Sequence, residues 1–459
     1  MLRRFFSTTS RPINVLTSKT RAQVAQHIPC TFETMTSKST AFNNISVSFY
    51  PPSDEDRKLS LPVPPKKSFL EVFLSFSCDL KLRQMMLATD NKSMKLSRLL
   101  EMLDSMAGDV AMKHTHAKRT ESGSFDIALV TACVSGLSSC SRMNIMKNYS
   151  LQGYVSFVGT SAMEITIEVI QDPLTENEQS LSKIYFTMVA LDPVTNKAIP
   201  VPQLLLESEH EKDLFDAGKT RSGLKKLKSK DSLTIKGPRD DESQLIHQLY
   251  LDSVKLKEQM NEYHKRQQQQ QREVWKEGDI VCSLPLAKLP LEAPNKNIRW
   301  VKHTKHTSSL LMHSQNMNVN GKIFGGYIMR KSFEAAHLSA TLFYGTGNIH
   351  FSYVDDIQFV RPVHVGSVIE FVTHVAYSRQ GYCVTHCNCY ELDIVTNIRT
   401  LTNVLHYVFK VSGATNVDEP PEQKQYIEVI PREYNEILAY LEGKRTLDRV
   451  LGVEPSTEE

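Results

Sequence analysis

Two stretches of the chain carry apolar residues at helical spacing, and each is followed by a run of strand-like segments. In the first, residues 94–115, Leu99, Leu100, Leu103, Met106, Ala107 and Val110 trace one face of a helix. A strand is predicted just before it, in FLEVFLSF from Phe69. Strands are predicted after it at 125–137, 151–171 and 181–192, with turns at Gly159-Thr160 and Asp172-Pro173. In the second stretch, Ile328, Met329, Phe333 and Ala336 mark a helix over 325–343. HTSSLLMHSQ precedes it as a strand, and strands follow around 350–360, 366–377, 381–395 and 400–411. The same order recurs about 230 residues apart, which predicts an internal duplication. Each copy places one long helix against an antiparallel sheet, an α+β unit.

Outside the copies the pattern weakens. Residues 34–65 are polar and Pro-rich, as in a linker or an extended arm. Residues 204–240 are charged, and their basic cluster GKTRSGLKKLKSKD reads as a solvated face. Residues 241–276 read as a helical connector ending in a glutamine run, and IPREYNEILAYLEGKR as a short terminal helix. The first 32 residues hold four arginines, one lysine, many hydroxyls and no acid. Leu2, Phe5 and Phe6 interleave with Arg3 and Arg4, the composition of a mitochondrial transit peptide.

Composition narrows the partners. The chain has 459 residues, 41% of them hydrophobic and 23% charged, with a net charge of +3. So small a basic excess disfavours nucleic-acid binding as the main role. No apolar run is long enough to span a membrane. Eight cysteines are sparse for this length and read as free thiols in a reducing compartment. GYCVTHCNCYEL tempts a metal reading. In a strand, however, Cys383, Thr385, Cys387 and Cys389 share one face and His386 takes the other, so these residues do not converge on an ion. No metal and no cofactor is expected.

The most informative motif is NMNVNGKIFGGYIMRKSFEAAH, residues 316–337. Gly325 and Gly326 stand at the start of a helix, where free N–H groups can hold an oxyanion or polarise a carbonyl. Asn318 lies just upstream.

With SRLLEMLDSMAGD, GYVSFVGTSAMEI, VDDIQFVRPVHVGS, TLTNVLHYVF and PREYNEILAYLEGKR, this motif resembles the tandem hotdog-fold acyl-CoA thioesterases, in order across residues 94–445. The resemblance implies two hotdog domains, each a long helix wrapped by an antiparallel sheet, forming an intramolecular pseudo-dimer. It divides the chain into a transit peptide (1–30), a linker or arm (31–66), a first hotdog domain (67–204), a charged helical connector (205–297), a second hotdog domain (298–415) and a C-terminal helix and tail (416–459).

The resemblance also implies one site between the domains, with Asp104 as the family's helix-borne acid and Asn318 as its asparagine. Aligning the copies sets Phe333 opposite Asp104, Thr89 opposite Asn318, and Leu96 and Ser97 opposite the glycines, so each copy keeps half of the apparatus. Relatives often carry His where Asn320 stands and Gly where Ser97 stands.

The implied reaction is hydrolysis of fatty acyl-CoA in the mitochondrial matrix. In an apolar interface Asp104 is suited to act as a general base, or it attacks directly to form a mixed anhydride. Asn318 orients water or binds the carbonyl, and the Gly325 or Gly326 amide polarises it. Arg330, Lys331 and Arg361 are the available cations for CoA phosphates. Met106, Val110, Ile328 and Met329 either line an acyl slot or belong to the core. The alternatives are a hotdog dehydratase or hydratase, which would want a histidine partner, and an inactive acyl-CoA-binding or scaffold protein. Exposed sheet edges favour a homo-oligomer.

Overall fold

The computed structural model describes residues 46–49, 61–88, 92–118, 125–138, 143–230, 233, 236–274, 298–355, 357–411 and 426–452. The expected transit peptide, most of the expected linker and Thr89 lie outside the described residues.

The front half runs β1 (Ser46–Phe49), α1 (Pro65–Ser68), β2 (Leu70–Leu74), α2 (Leu80–Met86) and α3 (Leu96–Thr115). It continues with β3 (Ala128–Ser135), β4 (Tyr149–Val158), β5 (Ala162–Gln171) and β6 (Gln179–Leu191). Two helices follow, α4 (Glu209–Lys230) and α5 (Asp240–Val274). The back half runs β7 (Ile298–Trp300), β8 (His306–Leu311), α6 (Gly325–Tyr344), β9 (Ile349–Val354), β10 (Ile357–Phe359), β11 (Val368–Arg379), β12 (Tyr382–Leu392) and β13 (Arg399–Val411). It closes with β14 (Glu428–Ile430) and α7 (Tyr434–Leu451).

The expected duplication is plain in the sheet. Its order is β1-β2-β4-β5-β6-β3-β10-β13-β12-β11-β8, with β9 also on β13. Around α3 the strands run β2-β4-β5-β6-β3, and around α6 they run β8-β11-β12-β13 with β9 and β10, the same winding twice. The halves join edge to edge, antiparallel, with Val134 opposite Ile357 and Cys133 opposite Gln358. Joining the open edges hides backbone groups that would otherwise need another partner. The two helices meet beneath the joined sheet, and one continuous apolar core holds Leu100, Leu103 and Ala107 of α3 with Ile328, Met329 and Ala336 of α6. This is the α+β pseudo-dimer of two hotdog units.

The expected arm contributes a strand: Ser46–Phe49 pairs with β2. The basic cluster departs from expectation. One face of α4 is not solvated but lies against the outer face of the first sheet, so close that a Cβ on Gly218 would come within 2.5 Å of the Phe157 Cβ. Arg221 pairs with buried Glu164 at 2.7 Å, Lys225 donates to Thr187, and Lys228 reaches Asp355 of the back half at 2.9 Å. Arg221 and Lys228 are thus paired with acids while Lys219 and Lys226 stay exposed, a division that a one-dimensional charge count does not reveal. On the second sheet α7 plays the corresponding part, with Gly443 pressed against Tyr377 of β11. Arg445 of α7 also holds Glu242 of α5 through two hydrogen bonds.

Candidate active site

The α3 helix places Asp104 on the side facing the back half. Leu99, Leu100, Leu103 and Ala107 bury the helix on every side around it, so its carboxyl is only 3% exposed. An isolated carboxylate there would be costly, and two donors meet it. Thr131 Oγ1, on β3, donates to Asp104 Oδ1 at 2.8 Å. The backbone N–H of Gly326, in the first turn of α6, donates to the same carboxylate. Thr131 is aimed by a register shift in β3 between Thr131 and Cys133, the kind of bulge that redirects a side chain. Burial dominates: the pKa of Asp104 rises from 3.8 to about 6, against the lowering effect of the two hydrogen bonds, and nearby Glu101 adds a small further rise.

The glycine pair follows from packing. A Cβ on Gly325 would lie 3.1 Å from Asp104 Oδ2 and 3.1 Å from the Phe359 ring, and one on Gly326 would lie 3.0 Å from the Glu101 carbonyl oxygen. Only glycine lets the start of α6 approach the backbone of α3 so closely. No side chain of the back half caps α6 at Phe324. The Asp104 carboxylate serves that end of the helix from the other domain, where the helix dipole favours negative charge. The Gly326 amide, nominated from the sequence to polarise a substrate carbonyl, is therefore occupied by Asp104, and the Gly325 amide stands beside it.

Asn318 lies in the loop that feeds α6. Its Oδ1 accepts from the N–H groups of Asn320 at 2.9 Å and Lys322 at 3.1 Å, an Asx-type closure, so its hydrogen bonds lie inside its own loop rather than on Asp104. Asn320 carries that loop to the front half: its Nδ2 donates to the Leu129 carbonyl at 3.3 Å, two residues before Thr131. The structure thus gathers Asp104, Gly325 and Gly326 at one point, with the Asn318 loop tied to the neighbouring strand. Thr131 escaped the sequence reading because a threonine within a strand carries no signal until its partner is known.

The nominated cations separate. Arg330 Nη1 donates to Glu101 Oε2 at 2.9 Å, with only 13% of its side chain exposed, and its guanidinium lies over the Tyr327 ring. Glu101 and Arg330 hold equivalent positions on the two helices (each five residues past its start), so this pair crosses the pseudo-two-fold axis and Arg330 is committed to the interface. Lys331 pairs with Glu334 one turn on, and Arg361 is exposed. The four residues offered for an acyl slot are core. Met106 and Val110 press against Gly153 of β4, where a Cβ would come within 2.9 and 3.1 Å of them, and Ile328 and Met329 are buried. Periodicity cannot separate a core face from a slot.

The position equivalent to Asp104 is Phe333, eight residues past the start of each helix (96 to 104, 325 to 333). It packs against Phe351, Tyr407 and Phe409 with ring centroids 5.7, 5.4 and 5.7 Å away. That point is an aromatic core with no carboxylate.

No protein-family model matches the chain. Among known proteins it is 28% identical to bovine (Bos taurus) acyl-coenzyme A thioesterase 9, mitochondrial, over 401 residues, 85% of this chain and 82% of the relative. It is 27% identical to mouse (Mus musculus) acyl-coenzyme A thioesterase 10, mitochondrial, over 83% of this chain and 78% of the relative. Among solved structures, an acyl-ACP thioesterase from Bacteroides thetaiotaomicron aligns over 75% of this chain and 99% of its own, at 8% identity with a TM-score of 0.40. In sequence, over more than four-fifths of its length, this chain is similar to the mitochondrial acyl-CoA thioesterases of the 9 and 10 type, and it has the tandem hotdog architecture.

Proposed function

We propose that the chain hydrolyses fatty acyl-CoA to free acid and CoA at one composite site between the two hotdog domains. The observation that carries this is Asp104, a buried carboxyl with a pKa of about 6 held by Thr131 of its own domain and the Gly326 amide of the other. Such a group is ionised at neutral pH yet basic enough to accept a proton. In the hydrolytic step Asp104 takes a proton from water as its oxygen attacks the thioester carbon. The tetrahedral oxyanion then collapses, the C–S bond breaks, and the CoA sulfur leaves as thiolate and is protonated. Direct attack by Asp104 gives the same products through a mixed anhydride that water cleaves. The Gly325 amide, at the positive end of α6, is the donor proposed for the oxyanion. The Asn318 carboxamide orients the water, and Lys331 and Arg361 meet the CoA phosphates.

Several expectations belong to the same reading: the domain division 67–204 and 298–415, matrix import through residues 1–30, and assembly into a homo-oligomer. The likeness to relatives named as mitochondrial acyl-CoA thioesterases supports it. The deciding experiment is thiol release from a panel of acyl-CoAs. Turnover by the wild type that falls by about 10³ in Asp104→Ala supports the proposal. Full activity in that variant, or tight CoA binding with no turnover by any substrate, refutes it; a 3-hydroxyacyl product would instead identify a hydratase.

A further inference from the structure

The outward face of the second sheet carries a row of three imidazoles. His374, His386 and His406 lie on β11, β12 and β13 as direct cross-strand neighbours, His374 opposite His386 and His386 opposite His406. Their ring centroids are 5.5 and 3.9 Å apart, the second pair stacked. Helix α7 crosses this face and brings in Glu442. The ligating atoms of His386, His406 and Glu442 all lie within 4.8 Å of one another. His386 is buried, and its Nε2 has no hydrogen-bond partner. A buried nitrogen left unpaired is costly and calls for an explanation.

We propose that His386, His406 and Glu442 form a binding site for a divalent cation of the zinc type, which fastens α7 to the second sheet. Two imidazoles and a carboxylate are a ligand set that zinc and its borderline neighbours take, with water completing the shell. Bonds of about 2.1 Å set ligand atoms about 3.4 Å apart in a tetrahedron. The stacked rings therefore splay and turn their lone pairs toward the ion when it binds, while the ligating atoms draw together. Asp355 binds Lys228 of α4 and, from α7, Thr446 and Arg449, and its N–H donates to the His406 carbonyl at 3.2 Å. This neutralises the two nearby cations and ties α4, α7 and the strand beneath into one knot beside the ion.

The site is distinct from the thioester site. His386 alternates with Cys387, which faces the core on the α6 side. Read along its own strand, His386 looked unable to join an ion because its neighbours' thiols point the other way. Its ligand partners come from the adjacent strand and from α7, which the strand sequence does not contain. The cation acts on stability, not on the chemistry at Asp104.

The test uses the full chain, stripped with a chelator and titrated with Zn²⁺ and Co²⁺. The expected result is one tightly held equivalent per chain, a rise in Tm on loading, and a cobalt spectrum free of a thiolate charge-transfer band. Glu442→Gln, on a partly exposed helix face, should keep the fold and weaken the metal by at least about tenfold. His386→Ala with His406→Ala should abolish uptake. The proposal is overturned by an absence of saturable uptake, by uptake unchanged in Glu442→Gln, or by a cobalt spectrum showing sulfur ligation.

Discussion

Asp104 and Phe333 stand at the same place in two copies of one fold, and their surroundings are opposite. Around Asp104 the interior is polarised: a threonine hydroxyl, a helix-start amide and a carboxyl pushed up to about 6. Around Phe333 three aromatic rings close the space. Two 20-residue helices in matching sheets therefore need not keep matching chemistry. A buried carboxylate costs stability wherever it lies, and one is kept where the other half brings a helix start to meet it. At the equivalent point the start of α3 carries Leu96 and Ser97, whose side chains prevent the same approach, and Ser97 bonds Glu334 instead. Duplication preserved the scaffold while the two halves specialised.

The largest effects are expected at Asp104. Asp104→Ala should lower thiol release by about 10³, and Asp104→Asn should do nearly the same while making the fold more stable. The folded pKa lies above the unfolded one, so the native state holds the proton more tightly. Ionising this group therefore erodes stability as pH climbs from 3.8 through about 6. Removing the charge should return on the order of 3 kcal/mol at neutral pH, read as a higher midpoint in denaturant. A less stable, fully active Asp104→Asn protein would contradict both halves of this account.

Phe333→Ala should do the reverse. Opening the aromatic cluster should cost about 3–5 kcal/mol in unfolding experiments, while kcat per folded molecule stays near the wild-type value. A kcat loss as deep as that of Asp104→Ala would mean that the aromatic copy also takes part in the chemistry. Gly326→Ala tests the junction between the copies. Its methyl would press on the Glu101 carbonyl, move the start of α6 and destabilise by about 1–3 kcal/mol, with lower turnover as the amide leaves Asp104. Unchanged stability and rate would show that the close approach is dispensable.

The smallest expected effect belongs to Thr131→Val. The wild-type rate should rise with pH along a limb centred near 6. Without the hydroxyl, which favours the ionised carboxylate, that limb should move to higher pH, with neutral-pH turnover down about tenfold. A limb that stays in place would remove Thr131 from the account.

Much of the fold was legible before any coordinates. The 3.6-residue spacing of Leu99, Leu103, Met106 and Val110 located α3, the repeat of helix and strands located α6, and strand alternation located β3 to β6 and β11 to β13. These are local signals, because an element's buried face is written in its own residues. The motif around Gly325 and Gly326 pointed to a helix start that something approaches closely.

What approaches is α3, and no pattern along the chain names it. The same holds for Thr131, for Arg330 meeting Glu101 across the axis, for Lys228 reaching Asp355, and for the histidines beneath α7. Local patterning was enough for the two helix-and-sheet units and for a glycine-led helix start, and the family resemblance nominated the acid. Which donors meet that acid, which cations are already paired and which face of β12 is open to partners follow from packing in three dimensions. Charge, desolvation and hydrogen bonding depend on distances in space, and residues up to 237 apart in the chain share them here.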